Sequence, residues 1–411
     1  MTIPSWLPRR PAPVAILIGA LAQALFLVRL AVPHKLMFDE VHYVPAARSF
    51  IDRAYAANIE HPPLGKELIA LGIRLFGDTP VGWRFMSTLA GAATVIAVFA
   101  IVHLMTGRLR AAVVAAVLAI LNFTIFVQAR IAMLDGFLAA FLCAAIALMA
   151  WAMRRGGWGR WIGASAMLGA AVACKWIAAP YVLFAAIAFV VLKRGDARRW
   201  PGLPVLPALG VLGAVSIAVY CATFAPLFAF AHDPVTWRSL LPLQLDMYRR
   251  QTQVLPSHTY QSNWWTWPIM LRPIWYLYER ADGAQRGVLM IGNPAVMWGG
   301  LVAVVACIGG WIGSGSPRLL AAFGLWVASL SIWALIPKSL GFYYYYYPSS
   351  IFIVIAIAAA LDHWRDRLRH WDTALALAAL ALALYFFPVL AALALDRPDA
   401  FHHWTWLPSW V

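Results

Sequence analysis

Apolar runs dominate the chain and polar stretches interrupt them at uneven intervals. Runs long enough to cross about 30 Å of hydrocarbon fall at 12–32, 84–106, 111–128, 133–153, 159–174, 176–193, 203–225, 292–313, 318–336, 343–361 and 373–392. Read as helices they give eleven spans, the fifth and sixth of them short. Two long polar stretches stand apart, 33–83 and 226–291. The first holds an amphipathic piece opened by Pro45, which suits a first helical turn. It also holds a rigid Pro62-Pro63 turn leading into a second amphipathic stretch, 66–76.

Composition turns this pattern into a class. With 63% hydrophobic residues, 12% charged residues, 21 Trp and a mean hydropathy of +0.74, the chain exceeds what a soluble protein of its size can bury. The expectation is an all-α polytopic membrane protein forming one unit, 1–411. The first run follows Arg9 and Arg10 and resembles a signal anchor, but no small-residue cleavage site follows, so it is expected to stay as a helix.

Basic residues orient the spans. Arg9 and Arg10 precede the first; Arg108 and Arg110 follow the second, Arg154, Arg155 and Arg160 the fourth, and Lys193, Arg194, Arg198 and Arg199 the sixth. Arg318 follows the eighth, and Arg365, Arg367 and Arg369 the tenth. Every one of these loops is cytoplasmic if the N-terminus is inside. The same bias accounts for most of the net charge of +15, so no nucleic-acid partner is called for. Cys143, Cys174, Cys221 and Cys307 lie within or at the ends of spans, where they read as small core residues rather than a disulfide or metal framework. The tail, with Trp404, Trp406 and Trp410 beside His402 and His403, suits an aromatic interface anchor better than a metal site.

The polar residues that need explaining collect on the opposite, outward face. Asp39 and Glu40 stand side by side in a stretch, 34–84, that holds six acidic side chains. Adjacent carboxylates repel, so the pair reads either as a site in which one stays charged to do work or as two solvated acids at a helix start. His61 and Lys66 in EHPPLGK are either surface groups or, for Lys66, a point charge for a lipid phosphate. Arg84 either snorkels or forks onto phosphate oxygens. Arg130 and Asp135 bracket a turn close to hydrocarbon, where unpaired charge is costly, and could pair with each other. Lys175 sits in an otherwise apolar turn, where an anion partner or snorkelling would explain it. His258, Gln261, Asn263 and Trp264, with Lys338 and the tyrosine run around Tyr345, are suited to stacking and hydrogen-bonding a sugar, although a membrane interface also collects such residues.

Taken in order, FDEVHY, EHPPLGK, GWR, QARIAMLDGF, KW, HTYQSNWWTWP…RP and FYYYYYP resemble the motifs of the protein O-mannosyltransferase family, over residues of roughly 36 to 350. The resemblance implies a GT-C fold with amphipathic helices in the first outer loop. It also implies inverting transfer of a sugar, mannose by resemblance, from a polyprenyl-phosphate-linked donor to a hydroxyl acceptor at the periplasmic face of a bacterial inner membrane. On that resemblance Asp39 is the base and Glu40 helps shape the acceptor site. Arg84 contacts donor phosphate, with Lys66, Arg130, Lys175 and Lys338 completing a cationic cradle. Asp135, in the family's LD motif, is structural or sugar-binding. Relatives often place an Arg in the ninth-to-tenth link, where Lys338 stands here. The large lumenal insert of eukaryotic members is missing, which leaves acceptor selection to 226–291.

The chemistry is coherent without the family. Charge developing on a phosphate leaving group calls for cations, and an acceptor hydroxyl of high pKa calls for a carboxylate within reach. A divalent cation could assist, but no ligand set is evident. Two other readings stay open. One is transfer of an aminoarabinose-type or other sugar onto a lipid or glycan acceptor. The other is a transporter or flippase, which would show repeats and midplane charges, features not found here.

Overall fold

A computed structural model describes residues 10–336 and 338–411; Arg9 and Pro337 lie outside the described residues. Each of the eleven apolar runs carries a helix. The N-terminal ones are α1 (Pro11–Leu27), two amphipathic helices α2 (Glu40–Asp52) and α3 (Leu64–Phe76), and α4 (Pro80–Thr106). The third run breaks into α5 (Leu109–Ile120) and α6 (Phe123–Gln128); α7 (Leu134–Arg155), α8 (Trp158–Cys174), α9 (Ala179–Gly195) and α10 (Val205–Ala222) follow. A short α11 (Leu240–Thr252) lies in the second polar stretch, before α12 (Pro294–Ser314), α13 (Pro317–Leu335), α14 (Tyr347–His363) and α15 (Trp371–Leu390).

By length and composition eight of these, α4, α7, α9, α10 and α12 to α15 with their flanking turns, are sufficient to cross a membrane; α1 and α5 are apolar but shorter. The break between α5 and α6 has a local cause. Asn122 caps α6 through Thr124 N and donates its amide to Ser350 O at 2.9 Å, pinning the interruption to α14. That helix is apolar on every side and almost wholly buried, as expected of one surrounded by other helices. It packs against α5, α12 and α13, while α4 carries α1, α3 and α7, and α8 lies between α7 and α10.

Helix starts follow their sequence signals. Thr79 caps α4 by accepting from Gly82 N, with Pro80 in the first turn, and Asn293 caps α12 ahead of Pro294, arrangements that satisfy otherwise orphaned amides. The backbones of α3 and α4 come together at two glycines. A methyl on Gly72 would stand 2.4 Å from Gly82 O, and one on Gly82 would stand 2.0 Å from Gly77 O. This contact clamps the first polar stretch onto the bundle.

The all-α expectation needs one correction. An antiparallel hairpin, β1 (Ile274–Ala281) and β2 (Ala284–Met290), occupies the second polar stretch. Its turn is Asp282-Gly283, both left-handed at φ 50 and 75, the two-residue connection whose twist matches paired strands. The hairpin is tied to the first stretch by Asp282 accepting from His34 N at 3.1 Å and by a Lys35–Glu279 ion pair of 2.7 Å.

The tail packs against the rest of the protein. Trp410 is fully buried and donates to Met270 O, and Trp404 is buried and donates to Tyr385 O. Of the three tail tryptophans only Trp406 is exposed, and the other two pack onto the protein itself.

Candidate active site

Asp39 is the residue before α2 and sits, partly buried, at one end of the bundle. Burial raises its carboxyl from 3.8 to about 6; Asp135 adds to the rise, while Lys175, His42 and a hydrogen bond from Tyr43 oppose it. Tyr43 lies one helical turn beyond Asp39, which is why the two side chains share a face. The sequence reading gave Tyr43 no role, although the spacing within FDEVHY carried the signal.

Facing Asp39, Lys175 at the end of α8 donates to both oxygens of Asp135 at the start of α7, at 3.1 and 3.0 Å. The pairing of Arg130 with Asp135 is therefore corrected: the partner of Asp135 is Lys175. The Lys175 ammonium also lies 5.3 Å from the ring centres of both Tyr344 and Tyr345, a cation–π arrangement. Tyr345 stacks on Trp333 at 4.4 Å and 3°, and the Lys338 ammonium stands 5.8 Å from its ring. Burial, then the Lys175 charge, lowers Lys338 to about 8. Among the described residues no carboxylate pairs with it.

His61 completes this group, its ring 6.1 Å from that of Tyr43. Burial, followed by the charges of Lys175, Lys66 and Lys338, holds the imidazole well below its usual range, in the neutral form. Phe38, next to Asp39, adopts a left-handed φ of 48, uncommon for a bulky side chain. Its ring stacks on Tyr276 at 4.2 Å and meets Tyr344 edge-on at 5.4 Å. The Tyr276 hydroxyl accepts from Gln128 Nε2 at 3.1 Å.

Four other predicted site residues do different work. Glu40 and Arg84 are fully buried and paired, Arg84 Nε to Glu40 Oε1 at 2.7 Å and a terminal nitrogen to Oε2 at 2.8 Å. The remaining Arg84 donors go to the carbonyls of Leu30, Pro33 and Lys35. Glu40 also accepts from Met37 N and Ala132 N. With the guanidinium enclosed by protein acceptors, Arg84 has no donor left for a phosphate, and Glu40 has no open side for an acceptor. Both readings are corrected to a buried staple that fixes the Asp39 segment to α4.

Lys66 is likewise enclosed, donating to the carbonyls of Ala57, Asn58 and His61, and burial brings it down to about 7. Arg130 donates to the carbonyls of Phe26, Val28 and Arg29 and so closes the end of α1. Neither is open to a ligand.

The aromatic segment of the second stretch lies at the margin of this group, one ring removed from Tyr344 and Tyr345 through Phe342. His258, Gln261 and Asn263 are exposed and Trp264 half-buried. His258 Nδ1 accepts from Tyr260 N and its ring meets Phe342 edge-on at 5.3 Å; Trp264 packs edge-on against Trp265 at 5.8 Å. Among the described residues no hydrogen bond or ion pair joins these four to Asp39. Among the described residues no group of three metal-ligating side chains gathers.

Comparison with known proteins gives this arrangement its relatives. Models of dolichyl-phosphate-mannose-protein mannosyltransferases match residues 16–83 and 60–224, and a model of the C-terminal four-transmembrane region of protein-O-mannosyltransferase matches 236–314. The polyprenol-phosphate-mannose–protein mannosyltransferase of Mycobacterium tuberculosis is 34% identical over 342 residues, covering 67% of this chain and 65% of that protein. This chain thus spans just under two thirds of that relative's length. The Mycolicibacterium smegmatis protein of the same name is 28% identical over 468 residues, covering 91% and 87%. Among solved structures, the Saccharomyces cerevisiae protein O-mannosyltransferase Pmt1-Pmt2 complex bound to the sugar donor matches with a TM-score of 0.83 at 15% identity, covering 99% of this chain and 93% of that one. ArnT from Cupriavidus metallidurans bound to undecaprenyl phosphate matches with a TM-score of 0.64 at 17% identity, covering 96% and 68%.

These likenesses define the architecture as that of a multi-pass GT-C membrane protein. The chain belongs to the protein O-mannosyltransferase family.

Proposed function

We propose that the protein transfers mannose from a polyprenyl-phosphate donor to Ser or Thr hydroxyls of proteins, at the periplasmic face of a bacterial inner membrane with its N-terminus in the cytoplasm. The observation that carries this reading is Asp39, a partly buried carboxylate of raised pKa ringed by Tyr43, Lys175, Tyr344 and Tyr345. The names of the mycobacterial relatives support the sugar and the protein acceptor.

In this mechanism Asp39 accepts the acceptor hydroxyl proton as the oxygen attacks the anomeric carbon, and its raised pKa makes it a stronger base that is still ionised at pH 7. The bond to the phosphate breaks on the opposite face, so the anomeric configuration inverts. Lys338, which has no carboxylate partner among the described residues, takes up the charge left on the phosphate. Lys175 is held by Asp135 and stabilises the ionised form of Asp39. Tyr345, between the two lysines, and neutral His61 contact the sugar. No step requires a divalent cation.

The test is transfer of label from polyprenyl-phosphate-mannose to a Ser/Thr-rich peptide by the purified protein in nanodiscs, beside Asp39→Asn. Label in the peptide that disappears in the variant supports the reading. Label appearing only in an envelope lipid moves the acceptor to the aminoarabinose-transferase type of reaction, and undiminished transfer by the variant removes Asp39 as base.

A further inference from the structure

An open groove of about 480 Å³ runs beside Asp39, walled on one side by Lys35 to Phe38 and Val41 and on the other by Trp275 to Glu279, with Tyr260 at its margin. Successive side chains of a strand point to opposite faces. A bulge at Tyr276 interrupts this alternation, but Leu277, Tyr278 and Glu279 pair in regular register, and a groove that touches all three runs along the strand's main-chain edge and not along one face.

The register shows what that edge offers. Ala281 pairs with Ala284 across the two-residue turn, then Arg280 with Gln285, Glu279 with Arg286 and Tyr278 with Gly287. In such a hairpin the closing pair exchanges hydrogen bonds and alternate pairs do not. Gln285 O confirms the phase, because it turns away from β1 to accept from Leu395 N at 2.8 Å. Tyr278 and Arg280 therefore turn their N–H and C=O groups outward from β1. Among the described residues no main-chain group outside β2 pairs with this edge.

We propose that the groove holds the acceptor polypeptide in extended form, added to the free edge of β1 as a third strand and leading its hydroxyl residue to Asp39. This rests on the protein-acceptor reading above and names how that acceptor is held. An array of main-chain donors and acceptors at strand spacing is complementary to another polypeptide backbone; a lipid or glycan acceptor has no such array. The groove adjoins the site through two of its lining residues, Phe38 and Tyr276, whose rings stack on each other while Phe38 also meets Tyr344 edge-on beside Asp39. Across it lies the Lys35–Glu279 pair, half exposed on both sides and so weak enough to open for an incoming chain. Recognition through the backbone also lets a small enzyme accept many sequences, with side-chain preference confined to alternate positions.

The experiment is an N-methyl scan of a Ser/Thr peptide of about ten residues, with the wild-type protein in nanodiscs and polyprenyl-phosphate-mannose as donor. Methylation of every second amide on one side of the reacting residue is expected to raise peptide KM about tenfold, the weight of a lost hydrogen bond. The intervening positions and the donor KM are expected to stay unchanged. A uniform response along the peptide, or no response, overturns the added strand. Failure of the unmethylated peptide to accept any mannose while a lipid acceptor does would instead overturn the protein-acceptor reading, and the track with it.

Discussion

Asp39→Asn should abolish transfer and make the protein more stable. Moving a carboxyl from 3.8 in the unfolded chain to about 6 in the fold penalises its charged form. At about 1.4 kcal/mol per pH unit the cost is about 3 kcal/mol once both states are ionised. The sign follows from the raised value: below about pH 3.8 both states are protonated and nothing is lost, the loss grows between 3.8 and about 6, and above that it is complete. Asparagine never ionises and is never charged this penalty. Lys175 keeps its carboxylate partner in the variant, because that partner is Asp135. With an unfolding entropy of about 2.1 cal/mol/K per residue, 411 residues translate the gain into roughly 3 to 4 °C. The assay is thermal unfolding of both proteins in the same detergent at pH 7.5 and pH 4. A higher Tm for the variant at pH 7.5 that shrinks towards zero at pH 4 is expected. Equal or lower stability of the variant at pH 7.5 would refute the placement of Asp39 as a desolvated carboxylate.

The remaining expectations separate roles that the sequence alone confused. Arg84→Ala, which strands buried Glu40, should cost about 3–5 kcal/mol of stability and lower the yield of folded protein, while donor affinity per folded molecule, measured by titration, stays near wild type. Lys338→Ala should do the reverse, weakening donor binding by about ten- to a hundredfold without moving Tm. The pH profile of kcat/KM should be a bell: its acid limb, near 6, falls as Asp39 gains its proton, and its alkaline limb, near 8, falls as Lys338 loses its own. Gly283→Ala, at φ 75 with open space around it, should strain only the turn by about 1 kcal/mol, seen as roughly fivefold faster hydrogen exchange of the hairpin amides.

Much of the architecture was legible because in a membrane the apolar pattern is itself the constraint. A run as apolar as α14 can only be a buried or lipid-facing helix, and Pro80 after Thr79 marks where α4 begins. The hairpin escaped notice because β1 opens with IWYLY, which has no polar alternation to show a half-buried strand; only the Asp282-Gly283 turn announced it. Asp39 was legible as a candidate because its neighbours within one helical turn carry its environment. The charges around it were not, because partners lie far apart in sequence: Glu40 meets Arg84 across 44 positions and Asp135 meets Lys175 across 40. Pattern reading finds a cation near lipid; it does not tell whether an anion of the protein already holds it.

The Arg84–Glu40 staple has a consequence for vertical placement. Arg84 stands one turn inside the first residue of a helix long enough to cross the bilayer, and Asp39 adjoins the carboxylate it holds. The height of the reacting carboxylate above the hydrocarbon is thereby set by α4, the element whose own height the membrane dictates. A sugar carried on a polyprenyl chain has its phosphate fixed at headgroup level by the same boundary. On the proposed function, enzyme and donor would thus share one reference plane, and the search for a productive encounter would shrink from three dimensions to lateral diffusion and rotation.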